Sequence, residues 1–196
     1  MDEDRERLAD LLGRLVRIPS ENPPGNEAPC AEFIADWCRR RDIDVETVSE
    51  PAEDRAQVVA SVGDGEPTVV LNGHTDVVPV TAPDEWAHDP YGAAIEGDRL
   101  YGRGSADMKA GLAVGLCALA DLRDPLARGD LAGSVCLHAA MGEETGEPGT
   151  RTLLERGFDG AYGIVLEPTD LRVATAAKGL AVYEITVPGA SSHASR

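Results

Sequence analysis

Five short clusters place oxygen or imidazole donors beside small residues: HTDVVP at 74–79, GRGSADMK at 102–109, GEETG at 142–146, LEPT at 166–169 and SSHAS at 191–195. Carboxylates gathered in one cleft repel each other unless cations lie among them, so the set reads as a two-metal hydrolase. In TVVLNGHTDVVP an apolar run delivers His74 and Asp76 to the C-terminal end of a strand. Spacing of i, i+2 aims both at one face, which suits a metal-binding imidazole and the group that orients its second nitrogen. Taken alone, H-x-D reads by default as a turn-capping Asp beside a solvated His.

Asp107 in GRGSADMKAG sits at a strand-to-helix junction among small neighbours, where two carboxylate oxygens can serve two cations. Ser105 and Asp107 are also good helix N-caps. Glu143 and Glu144 follow a buried-strand pattern; extended geometry would make their side chains diverge and take different roles, one a base and one a ligand. Glu167 in IVLEPT again ends an apolar strand, with Pro168 stiffening the loop. Outside this company, each of these acids reads as a solvated loop or strand-end residue.

HTDVVP followed some thirty residues on by LYGRGSADMKAG resembles the co-catalytic zinc aminoacylase and carboxypeptidase G family, which includes acetylornithine deacetylase and succinyl-diaminopimelate desuccinylase. The likeness runs over about residues 8 to 196. It implies a three-layer αβα zinc-peptidase-like sheet with mixed strands, followed by the start of an inserted α+β lid domain that dimerises. It further implies two Zn2+ ions, with Co2+ or Mn2+ as substitutes. His74, Asp107 and Glu167 would hold the first ion, and Asp107 and Glu144 the second, with Asp107 bridging.

The same resemblance makes Glu143 the proton shuttle and His193 the lid residue that hydrogen-bonds the developing oxyanion, while Asp76 is the partner of His74 that the spacing suggests. A cis bond between Asp107 and Met108 is also implied. Members of the family are roughly twice this length and gain one more metal-binding histidine after the lid. This chain is therefore expected to be the front portion of such a protein, with residues 1–178 in the catalytic domain and 179–196 opening the lid. The implied substrate is an N-acyl amino acid or small peptide. The other reading is a truncated remnant that binds at most one metal or serves in assembly.

Other chemistries fit poorly. Gly102-x-Gly104 lacks the third glycine of a dinucleotide loop, and GRGSA is not G-x-S-x-G, which sets Ser105 aside as a nucleophile. His88 reads as a loop residue and His138 as a strand residue. Cys30 and Cys38 lie about 12 Å apart along a helix, beyond disulfide reach, and no cysteine spacing suits a metal, so four buried thiols are expected.

These groups need a scaffold of alternating elements. Leu8, Leu11, Leu12, Leu15 and Val16 form one helical stripe that Pro19 and Asn22-Pro23-Pro24-Gly25 end; Cys30, Phe33, Ile34, Trp37 and Cys38 form a second over about 27–41. β-rich runs stand near 45, at 57–62, at 68–73 and at 134–141, a helical pattern at 105–122, and a short helix at 149–157. YGIVLEPT, LRVATAAKG and LAVYEITVPG read as three more strands, and the alternation predicts an α/β sandwich.

Acids outnumber bases 35 to 18 for a net charge of -17, a field that repels nucleic acid and anionic membranes. Only Lys109 and Lys178 are lysines, a bias that points to a salt-loving source whose proteins need screening for full stability, with an ordinary acidic cytosolic protein as the other reading. With no signal-peptide pattern at the N-terminus and no long apolar run, the expected location is the cytoplasm.

Overall fold

The computed structural model describes residues 3–146, 148–176, 179 and 185–186. Helices α1 (Glu3–Val16) and α2 (Ala28–Arg39) precede strands β1 (Asp44–Val48), β2 (Gln57–Val62) and β3 (Thr68–His74). A small hairpin of β4 (Ala94–Glu96) and β5 (Arg99–Tyr101) leads to α3 (Lys109–Ala127), β6 (Ser134–Ala140), α4 (Pro148–Glu155) and β7 (Tyr162–Val165). Five strands form one mixed sheet in the order β1-β2-β6-β3-β7. The β1/β2 and β2/β6 pairs are antiparallel, whereas β3 runs parallel to both β6 and β7.

Period-2 alternation sorts the strand residues into two faces. Val58, Ala60, Val62, Leu71, Leu137 and Ala139 pack under α1, α2 and α3 in the larger core, with Leu11, Leu15, Ile34, Leu112 and Leu116. Val59, Val70, Cys136 and Ala140 face the other way, against Leu153 of α4. The result is a three-layer αβα arrangement, as expected. Among the described residues no helix is long and apolar enough to cross a membrane. All four cysteines are buried and unpaired.

Several expected boundaries differ. The helix expected at 105–122 begins at Lys109 and runs to Ala127. Residues 102–108 instead make turns, closed by Ser105 N–H to the Gly102 carbonyl at 3.1 Å and Lys109 N–H to the Gly104 carbonyl at 2.9 Å. Pro125 is accommodated in the last turn, where one missing donor disturbs little of the helix. LRVATAAKG forms no strand over its described residues 171–176. Asp170 and Leu171 both adopt positive φ there, and Leu171 and Val173 are exposed. The β4–β5 hairpin was too short for its pattern to register. LAVYEITVPG lies, save residues 185 and 186, outside the described residues, as does Lys178 at the expected domain boundary.

His138, the strand histidine, is fully buried on the α4 side of β6, and neither ring nitrogen has a well-formed hydrogen bond among the described residues. Burial lowers its pKa, offset only in part by the Phe158 backbone. A depressed folded-state value means the stability this neutral ring contributes is complete above its ordinary value of about 6.5 and is lost as pH falls through and below it. Thermal midpoints should therefore drop on acidification from about pH 7 to about pH 5, and His138→Leu should flatten that part of the slope. An unchanged slope in the variant would show that other groups carry the acid lability.

Candidate metal centre

Topology explains why distant clusters meet. The parallel strands β6, β3 and β7 all end at one edge of the sheet, where open α/β folds place their sites. His74 is the last residue of β3, Glu143 and Glu144 follow β6, and Glu167 follows β7. Asp107 stands just ahead of α3, which packs on β3. The bond between Asp107 and Met108 is cis, as the resemblance implied. The Met108 sulfur accepts a hydrogen bond from the His74 backbone N–H at 3.1 Å. A Cβ on Gly111 would stand 2.3 Å from the Leu166 carbonyl oxygen, so only glycine lets α3 approach the segment carrying Glu167.

His74 is the centre of the cluster. Its Nε2 lies 3.2 Å from Asp107 Oδ1, 3.4 Å from Glu167 Oε1 and 3.8 Å from Glu143 Oε2. Two sets of donor atoms fall within 4.8 Å of one another: His74 with Asp107 and Glu167, and His74 with Glu143 and Glu144. The first set is the trio expected to share one ion. In the second, Glu143, expected to be the base, stands within ligand reach beside Glu144. The imidazole is 3 % exposed and the Asp107 carboxylate 60 % exposed, so the cluster opens from a dry floor to solvent.

The floor is Asp76. The His74 Nδ1 lies 2.9 Å from the Asp76 backbone oxygen and 3.4 Å from its carboxylate, the orienting contact foreseen for this pair. With Nδ1 directed at that carbonyl, Nε2 faces the acids, where a cation would take the place of its proton. Asp76 has a second task that its spacing did not announce. Its fully buried carboxylate accepts the backbone N–H of Glu143 at 3.2 Å and of Glu144 at 3.1 Å.

Those bonds correct one expectation. Glu143 and Glu144 do not continue a strand with diverging side chains; they occupy a 3-10 turn, Glu143–Thr145, that follows Gly142 at φ 80. Glycine tolerates that φ, and the turn aims both amides at Asp76 and both side chains toward His74. Behind the turn, Arg55 and Glu27 form a bidentate ion pair, with Nε to Oε2 at 2.9 Å and Nη2 to Oε1. Asn22 reaches the floor from the loop after α1, its Nδ2 donating to Asp76 Oδ2 at 2.8 Å. No sequence signal marked Asn22, Glu27 or Arg55 for this place.

Electrostatics match the geometry. Burial would lower the His74 pKa, but Asp76 and Glu167 outweigh it and push it up to about 11. Asp76 is held below the usual carboxylate range because His74 and Asn22 overcome the burial that would raise it. Glu144 is raised by burial and by the charge of Asp107. A pocket of acids that draws positive charge to one imidazole nitrogen is chemically suited to a divalent cation, whose binding would displace that proton. His193 lies outside the described residues. His88 is remote from this cluster, 3.5 Å from Glu96 and tilted against the Tyr101 ring.

Residues 70–194 match the profile of Peptidase family M20/M25/M40. A probable succinyl-diaminopimelate desuccinylase of Staphylococcus aureus (strain MRSA252) is 33% identical over 194 residues, 98% of this chain and 46% of that protein. The N-formyl-4-amino-5-aminomethyl-2-methylpyrimidine deformylase of Halalkalibacterium halodurans is 31% identical over 177 residues, 88% of this chain and 41% of that protein. The chain thus spans about half the length of the curated relatives it matches. Among solved structures, an M20 family metallo-carboxypeptidase from Sulfolobus solfataricus superimposes with a TM-score of 0.69 at 24% identity, covering 84% of this chain and 37% of its own. Human carnosine dipeptidase 1 gives the same score and identity, with 84% and 39% covered. Sequence profile and fold agree with the motif order: the chain belongs to Peptidase family M20/M25/M40.

Proposed function

We propose that this chain supplies the catalytic half of a metal-dependent amide hydrolase that acts on N-acyl amino acids or small peptides, as a deacylase of the desuccinylase or deacetylase kind. The observation that carries the reading is the approach of Asp107 and Glu167 to within 3.2 and 3.4 Å of one His74 nitrogen. His74, Asp107 and Glu167 would hold one cation, and Asp107 with Glu144 a second. Zinc suits an imidazole and carboxylate donor set, and cobalt or manganese would serve as substitutes. Such ions supply Lewis acidity toward water and toward the amide carbonyl.

The chain's own groups do the rest. Asp76 fixes the His74 ring and, through two backbone N–H bonds, the turn that bears both glutamates. Glu143 takes a proton from the attacking water and returns it to the leaving amine. His193 would donate to the oxygen that gains charge as the carbonyl is attacked. The named relatives, a desuccinylase and a deformylase, both carry names of enzymes that remove acyl groups from nitrogen, which favours a deacylase over a peptidase. A cytoplasmic homodimer, joined through the lid, completes the reading.

Assay of the full-length protein in concentrated salt, with zinc or cobalt, on a panel of N-succinyl and N-acetyl amino acids and dipeptides tests it. Metal-dependent release of the free amine is expected, fastest on an N-acyl amino acid. Absence of turnover on every member, or turnover indifferent to chelator, contradicts the proposal.

A further inference from the structure

Asp76 is held in place by a neighbour from a segment that contains none of the five donor clusters. The loop after α1 lies along residues 75–77: Ser20 Oγ donates to the Thr75 carbonyl at 2.6 Å, Val77 N–H to the Ser20 carbonyl at 3.0 Å, and Asn22 N–H to the Val77 carbonyl at 2.9 Å. This anchored backbone sets the Asn22 side chain, 3 % exposed, beneath the metal cluster. Its amide nitrogen donates to Asp76 Oδ2 at 2.8 Å and to Thr145 Oγ1 at 2.9 Å, using both N–H bonds. The orientation is forced, because the amide oxygen turned toward Asp76 would set acceptor against acceptor.

We infer that Asn22 is a positioning residue, a clamp between the end of β3 and the turn that bears Glu143 and Glu144, which keeps both glutamates in register with His74. The inference rests on the metal-centre reading above and deepens it. Asp76 receives Glu143 and Glu144 through its carboxylate while it orients His74 through its carbonyl, so the two halves of the cluster are coupled through this one residue. Thr145 closes the ring from the far end of the turn, and the Asn22 side chain hydrogen-bonds both Asp76 and Thr145. Removing its amide leaves Asp76 and the turn joined by the two backbone N–H bonds and breaks the link to Thr145, while Asn22 belongs to neither apolar core cluster. Groups that orient metal-binding side chains are typically worth 10–100-fold in metal affinity or activity.

The test uses the full-length protein, titrated with cobalt and followed by visible absorbance, with thermal midpoint and steady-state kinetics measured in parallel. Asn22→Ala should weaken cobalt binding by about 10–100-fold and lower kcat by a similar factor, with KM within about threefold of wild type. Thr145→Val should shift the same two quantities in the same direction, and Thr145→Ser, which keeps the hydroxyl, should restore both to within about threefold. An Asn22→Ala protein that binds cobalt as wild type does overturns the clamp, whatever its thermal midpoint. Should Asn22→Ala fail to fold, the Thr145 pair decides, and equal behaviour of valine and serine overturns it. A wild type that takes up no cobalt ends the metal-centre reading and this inference with it, whereas normal uptake with indifferent variants ends the clamp alone.

Discussion

Replacing Glu143 by glutamine in the full-length protein is expected to lower kcat by about 10²–10⁴-fold while metal content stays at the wild-type level. Glutamine keeps the shape of the side chain and its place in the turn, but it cannot accept and return a proton. Of the three acids that approach the His74 Nε2, Glu143 stands farthest, at 3.8 Å against 3.2 Å for Asp107 and 3.4 Å for Glu167. Glu143 and Glu144 share one donor set with His74, and the motif order assigns the first of them the role of base. Glu144→Gln should behave in the opposite way, with metal lost first and turnover lost in consequence. Steady-state kinetics and metal analysis on both variants separate the roles. If Glu143→Gln sheds metal and Glu144→Gln keeps it, the assignments exchange.

Arg55→Met should cost about 3 kcal/mol or more of folding stability, since it strands a buried carboxylate without its partner. Glu27 is fully buried, and the Arg55 side chain is only 16 % exposed, so water cannot take the place of the guanidinium. The energy of this pair lies chiefly in what is left when one member goes; a matched replacement of both removes the orphan. Glu27→Gln combined with Arg55→Met is accordingly expected to recover part of the loss. Urea unfolding in concentrated salt reads all three proteins on one scale. A single replacement that costs less than about 1 kcal/mol would place this contact among ordinary surface pairs.

Much of the scaffold was legible because its signals are local. The QVVASV run is β2 to the residue, and the apolar stripes of α1 and α2 mark the faces that enter the core. His74, Asp107, Glu144 and Glu167 were each marked by an apolar strand or small residues running into an acid or imidazole, and the sheet's parallel strand ends explain why they converge. The turn at Glu143–Thr145 was misjudged because its cause is not local: the amides are turned by Asp76, about seventy residues earlier. Asn22 sat in a Pro-Gly stretch whose only legible property was to stop a helix. The Glu27–Arg55 pair joins a helix start to a loop, with no periodicity to announce it.

Metal content of the purified full-length protein, compared with its His74→Ala variant after dialysis against zinc, tests the central claim most directly. The convergence of His74, Asp107, Glu144 and Glu167 predicts two ions per chain in the wild type and loss of at least one in the variant. A wild type that holds no ion, or a variant that retains both as tightly, would contradict it.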